Sequence, residues 1–250
     1  MESEGPVTLA ALTAEFAKLI DDCWRLLPGS TDAEFQSSQV AVLDAYIVRI
    51  KGFKYGAISQ GVEPVANRLF HFQCFAQALR AYFQVWLSFK AERYSEAWGN
   101  LIDAYEYSAI AAKASDEQSN EILDQRLGEI ERTLFPSFSV YLSSGFTQTI
   151  GKCSICGEPF GVCDHLENTV YMGRLCRRVD VQIIEMDHVS LVDDPRDRRC
   201  IIPEVENENG QMVNRFTQKV ADDIPPSAES EEKGRSVRGV LMNFKTLDLN

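Results

Sequence analysis

The chain has 250 residues, 45% hydrophobic and 25% charged, enough apolar material for a core of useful size without disulfides. Its net charge of −12 argues against general adhesion to nucleic acid or anionic membrane, although a local basic patch is compatible with it. No apolar run approaches the roughly 20 residues that span a bilayer. The opening residues 1–5 are acidic and polar, unlike a signal peptide, so the expected location is cytoplasmic.

Residues 8–27 place Leu9, Leu12, Phe16, Leu19, Cys23 and Leu27 at helical spacing, and Pro28 with Gly29 ends the run. A second helix is expected from Thr31, where Glu34 three residues on suggests a capping box. Gly52, Gly56 and Gly61 interrupt the pattern, so residues 52–61 read as a loop. Residues 64–90 are apolar nearly all the way round, which predicts a central helix covered on most sides. His71 lies on this helix near Arg68. The Arg–His spacing is too short for a nuclease of the HEPN kind, and a core histidine is the simpler reading. Ser95 is positioned to cap a fourth helix carrying Trp98, Leu101, Ile102 and Tyr105. A fifth occupies residues 116–134, and Pro136 stops it. Residues 1–136 thus read as a helical bundle.

Beyond Pro136 the period becomes strand-like. Phe138, Val140 and Leu142 alternate with polar residues. Short strands are expected at residues 169–172, 174–179, 181–184 and 188–192, with breaks at Gly173, Asp180 and residues 185–187. From 203 to 234 acidic residues, Pro225 and Pro226 dominate and read as a linker or disordered tail. An apolar patch around Val240, Leu241, Met242, Phe244 and Leu247 follows, suited to docking on the body or on a partner. The predicted fold class is α+β: helical bundle 1–136, β-rich module 137–202, and acidic linker with a C-terminal docking segment 203–250.

The chemical signature is the run 153–165, C-S-I-C-G-E-P-F-G-V-C-D-H. Cys153, Cys156, Cys163 and His165 supply three thiols and an imidazole, the ligands of a closed tetrahedral Zn²⁺ site. A closed site is structural, so zinc is expected to hold the β module together and its removal to unfold it. Cys176 is an alternative fourth ligand. Seven cysteines, four of them between 153 and 176, fit a metal site in a reducing compartment better than a disulfide framework.

This run, with Val170-Tyr171-Met172-Gly173, Cys176 and His188-Val189-Ser190-Leu191-Val192-Asp193-x-Pro195, resembles a zinc cassette of bacterial and phage-encoded proteins, some of them capsid-maturation or prohead-protease-associated. The likeness covers residues 153–195. It implies a bacterial or phage-related setting, with antiviral defence as a role, and no particular reaction.

Two further groups bear on function. Arg174, Arg177, Arg178, Arg196, Arg198 and Arg199 would form one basic surface if their strands paired, suited to nucleic-acid backbone or an acidic partner. His188 and Ser190, near Asp193, use the vocabulary of a protease-like hydrolase, but neighbours two apart on one strand rarely give nucleophile–base geometry. The expectation is therefore a non-enzymatic adaptor or assembly subunit with protein partners and open to self-association. A nucleic-acid-binding module is the first alternative and a hydrolase the second.

Overall fold

A computed structural model describes residues 8–27, 29–115, 119–221, 237–242 and 247–249. Among the described residues there are five helices: α1 (Leu9–Leu26), α2 (Ala33–Ser59), α3 (Glu63–Lys90), α4 (Tyr94–Lys113) and α5 (Ser119–Leu134). Nine short strands follow: β1 (Tyr141–Gln148), β2 (Lys152–Cys153), β3 (Val170–Tyr171), β4 (Arg174–Leu175), β5 (Arg178–Val179), β6 (Ile183–Val192), β7 (Glu204–Glu206), β8 (Met212–Asn214) and β9 (Val237–Arg238). The fold is mixed α+β, and all strand pairing is antiparallel. No helix among the described residues is long and apolar enough to cross a membrane.

The chain forms two compact units, and they group residues differently from the boundaries at 136 and 202. One unit holds residues 1–127, the cysteine-rich cassette 152–179 and residues 247–250. The other holds residues 128–151 and 180–246. The cassette therefore belongs with the helices, not with the strands that flank it in sequence.

In the helical unit, the capping side chains explain where the first helices start. Thr8 accepts the amide hydrogen of Ala11 at 3.2 Å. The second helix is capped by Asp32, one residue later than expected, through a 2.7 Å bond from the Glu34 amide. Ser95 is not a cap, since α4 begins one residue before it. The start expected for α5 at residue 116 lies outside the described residues. The loop expected at 52–61 is instead the end of α2, which runs through Gly52 and Gly56 to Ser59. Two isolated glycines cost a helix about 1 kcal/mol each. Packing of α2 along α3 outweighs that, and Gly61, with φ of +70°, supplies the real stop.

The third helix is the central one. Its residues from Leu69 to Leu79 are all buried, around every side of the helix. Phe16 of α1 stacks on Phe72 at 4.1 Å between ring centroids and meets Phe75 edge-on. His71 is fully buried in the same cluster, and its Nδ1 donates to the Ala111 carbonyl at 3.0 Å. It is a core histidine.

The second unit is built on the β1–β6 ribbon, with Tyr141, Leu142, Ile201 and Ile202 buried. Phe216 packs edge-on against Phe135 and Phe138. Two sequence expectations are corrected here. The strand after Pro136 begins later and runs further, to Gln148. The break expected at 185–187 is absent, because β6 is one strand of ten residues. It carries irregularities opposite Gly145/Phe146 and Thr147/Gln148, each adding one residue to β6.

Residues 203–221 are also ordered. The β7–β8 hairpin turns on Asn207, whose Oδ1 accepts the amides of Asn209 and Gln211 at 2.9 Å. Asn214 does the same for Phe216 and Thr217. The prolines and acidic residues of 222–236 lie outside the described residues. The end of the chain docks back on the body in two places. Arg238 of β9 pairs with Glu204 at 3.1 Å in the second unit, and residues 247–249 lie on the helical unit.

Candidate metal centre

The cassette is two small antiparallel ribbons, β2–β5 and β3–β4, joined by turns in which Gly157, Gly161 and Gly173 take positive φ. Cys153, at the end of β2, pairs with Arg178 of β5. The chain then turns sharply: the Gly157 amide donates to the Cys153 carbonyl at 2.9 Å, and Gly157 has φ of +79°. The Ile155 amide points at Cys153 Sγ, 3.4 Å away. Ser154 fastens this knuckle to the opposite strand. Its hydroxyl donates to the Leu175 carbonyl at 3.1 Å and accepts from the Arg177 amide at 3.0 Å.

These turns bring Cys153, Cys156, Cys163 and His165 together. Their ligating atoms all lie within 4.8 Å of one another, close enough to hold one metal ion. Two observations fit a metal there. His165 Nδ1 is buried without a hydrogen-bond partner, a costly state unless its lone pair has an acceptor such as a cation. Tyr171 meets the His165 ring edge-on at 4.8 Å, fixing it, while the Tyr171 hydroxyl accepts the Leu166 amide. The Cys153 thiol is pushed down to about 6. Burial opposes this, but backbone N–H groups of Cys156 and Ile155 and the thiols of Cys156 and Cys163 outweigh it.

Cys176 lies beside the four. Its sulfur is 3.8 Å from that of Cys153, and it is fully buried. Burial, with help from Cys153, pushes its thiol up to about 11.

The cassette is seated on the first turns of α3. The amide of Met172 donates to Glu63 at 2.9 Å and that of Gly173 to Asn67 at 2.7 Å. Sequence reading missed this seat. The signal was present in Glu63 and Asn67, four residues apart on one helical face.

Among the described residues, the segments that carry the six arginines do not pair with one another as strands. Arg174, Arg177 and Arg178 lie in the helical unit, and Arg196, Arg198 and Arg199 in the other. Arg178 pairs with Glu167 at 3.2 Å and covers the Phe160 ring. Arg198 is paired with Glu131, and Arg199, nearly buried, with Asp197 at 3.0 Å. Arg196 is exposed. His188 lays its ring across Gly145 of the facing strand, where an added Cβ would come within 2.4 Å of it. Among the described residues no hydrogen bond joins His188 to Ser190.

No protein family, curated protein or solved structure matches this chain.

Proposed function

We propose that the protein is a non-enzymatic adaptor or assembly subunit of a larger complex, stabilised by a structural zinc ion. Three thiols and an imidazole are the donor set that tetrahedral zinc prefers, and four protein ligands leave no open position for substrate. The bacterial or phage-related setting implied by the cassette belongs to the same reading.

The observation that carries the reading is the β1–β6 ribbon. Register places Ile183, Met186, Val189 and Leu191 opposite Gln148, Phe146, Ser144 and Leu142. Residues facing each other across a ribbon point to the same side. The two extra residues in β6 therefore keep four apolar side chains on one face, although their sequence spacing is uneven. All four are well exposed, with Leu191 at 63%. A two-stranded ribbon is marginal in water, and an exposed apolar stripe beside an open strand edge suits pairing with another chain.

The test is capture of native partners on immobilised protein, comparing wild type with Met186→Glu/Leu191→Glu. Loss of a reproducible, stoichiometric partner with unchanged melting supports the reading. A turnover activity of the pure protein, abolished by substituting one polar residue outside the cassette, would overturn it.

A further inference from the structure

We propose that the helical unit contains a binding site for an extended peptide carrying Asp–Leu, occupied by the chain's own Leu247-Asp248-Leu249. The proposal rests on the adaptor reading and names the chemistry of one partner.

The geometry is that of a bound ligand. Four main-chain polar atoms of this tripeptide are held by four different parts of the unit. Tyr107 of α4 accepts the Asp248 amide at 2.9 Å. Gln77 of α3 donates to the Asp248 carbonyl. Lys54 of α2 donates to the Leu249 carbonyl at 3.3 Å, and Arg177 of the cassette reaches the Leu247 carbonyl at 3.5 Å. Fixing the main chain while reading alternate side chains is how proteins recognise extended peptides. Here the side chains are read by charge and by burial. Lys51 meets the Asp248 carboxylate at 2.6 Å, and Leu249 is 5% exposed.

The lining also states which peptide it prefers. Lys54 is fully buried, an unusual place for a lysine, and its ammonium lies over the Phe70 and Tyr55 rings. Arg174 acts electrostatically on Lys54, and its Nε is buried without a hydrogen-bond partner. One turn before Gln77, Gln73 is fully buried with both amide atoms unpartnered. Lys51, Lys54 and Arg177 thus bond a ligand that brings one side-chain carboxylate, and the buried Asp103 of α4, acting on Tyr107, is the acidic group of the lining. The positive excess favours an acidic-apolar peptide in a protein whose overall charge is −12.

The probe is a fluorescent peptide, Thr-Leu-Asp-Leu-Asn, added to full-length chains and followed by anisotropy. Leu249→Lys, which removes the apolar anchor, sets a second ammonium beside Lys54 and frees the cleft, is expected to bind it saturably. Wild type should bind about ten-fold more weakly, because its own segment competes. A peptide with Lys in place of Asp should lose about ten-fold, and Lys51→Glu in the freed chain should restore it. Absence of saturable binding by a folded Leu249→Lys chain overturns the proposal. So does equal binding by wild type, or indifference to the Asp-to-Lys change. If Leu249→Lys and the milder Asp248→Lys both lose helical circular dichroism, the segment is core and not a displaceable ligand, which also overturns it. Neither chain alters the ribbon, so failure here is distinguishable from failure of partner capture.

Discussion

A Cβ on Gly173 would sit 2.7 Å from the carbonyl oxygen of Ala66, on a residue whose φ is +64°. The cassette therefore meets the backbone of α3 where no side chain fits, and both geometry and space demand glycine.

Gly173→Ala should cost about 1–3 kcal/mol, from left-handed strain together with a clash against backbone that cannot move aside. The expected result is a lower melting temperature and faster zinc loss to a chelator. A melting curve and off-rate equal to those of wild type would contradict the seat on α3.

Metal analysis of purified protein should find one zinc per chain. The metal should be lost in Cys153→Ser, Cys163→Ser and His165→Ala, and retained in Cys176→Ser. Chelation should release the 152–179 backbone to hydrogen exchange while amides of α3 near Phe75 stay protected. Loss of zinc in Cys176→Ser with retention in His165→Ala would exchange the two residues' roles.

Lys54 predicts a pH dependence. Burial pushes its ammonium down to about 8. Cys74 partly offsets this, Lys51 adds to it, Asp248 opposes it and Arg174 adds to it. A folded value below the unfolded one, ~10.4, means the unfolded chain holds more protons between them. Stability of the helical unit should therefore rise from about pH 8 towards pH 10, and below 8 the full cost of burying the charge is present. Lys54→Met should melt higher at pH 7 and show a flatter rise across that window. Identical pH slopes would contradict this assignment.

Phe72→Ala removes a fully buried ring stacked on Phe16 and should cost about 3–5 kcal/mol. Denaturant unfolding followed by helical circular dichroism checks it. A loss under 1 kcal/mol would mean the aromatic cluster repacks.

The five helices were legible because their apolar faces repeat at helical spacing and Pro28 with Gly29, and Pro136, mark ends. Gly52 and Gly56 misled, since local propensity cannot see the helix that α2 packs against. The four metal-centre residues were legible because their spacing is local. What escaped was built from polar residues. Ser143, Ser144, Gly145 and Thr147 show no apolar alternation, so most of β1 was invisible. Asn207 and Asn214 shape their turns through side-chain oxygens in a stretch whose acidity reads as disorder. The uneven spacing of Met186 and Val189 hid one strand behind an apparent break, because two extra residues shift its phase. The seat of residues 247–249 depends on contacts from residues as distant as Lys51, which no local pattern announces.

The helical unit collects three separate stretches of chain, 1–127, 152–179 and 247–250, and the other unit takes the segments between. A ribosome therefore finishes the two in alternation. The five helices emerge well before the cassette that seats on α3, and the cleft waits vacant until residues 247–249 are made. During that interval a nascent chain would carry a buried-type lysine, Lys54, facing an open groove. Until residue 249 is made, Lys54, Gln77 and Tyr107 lack the main-chain partners that the finished chain gives them.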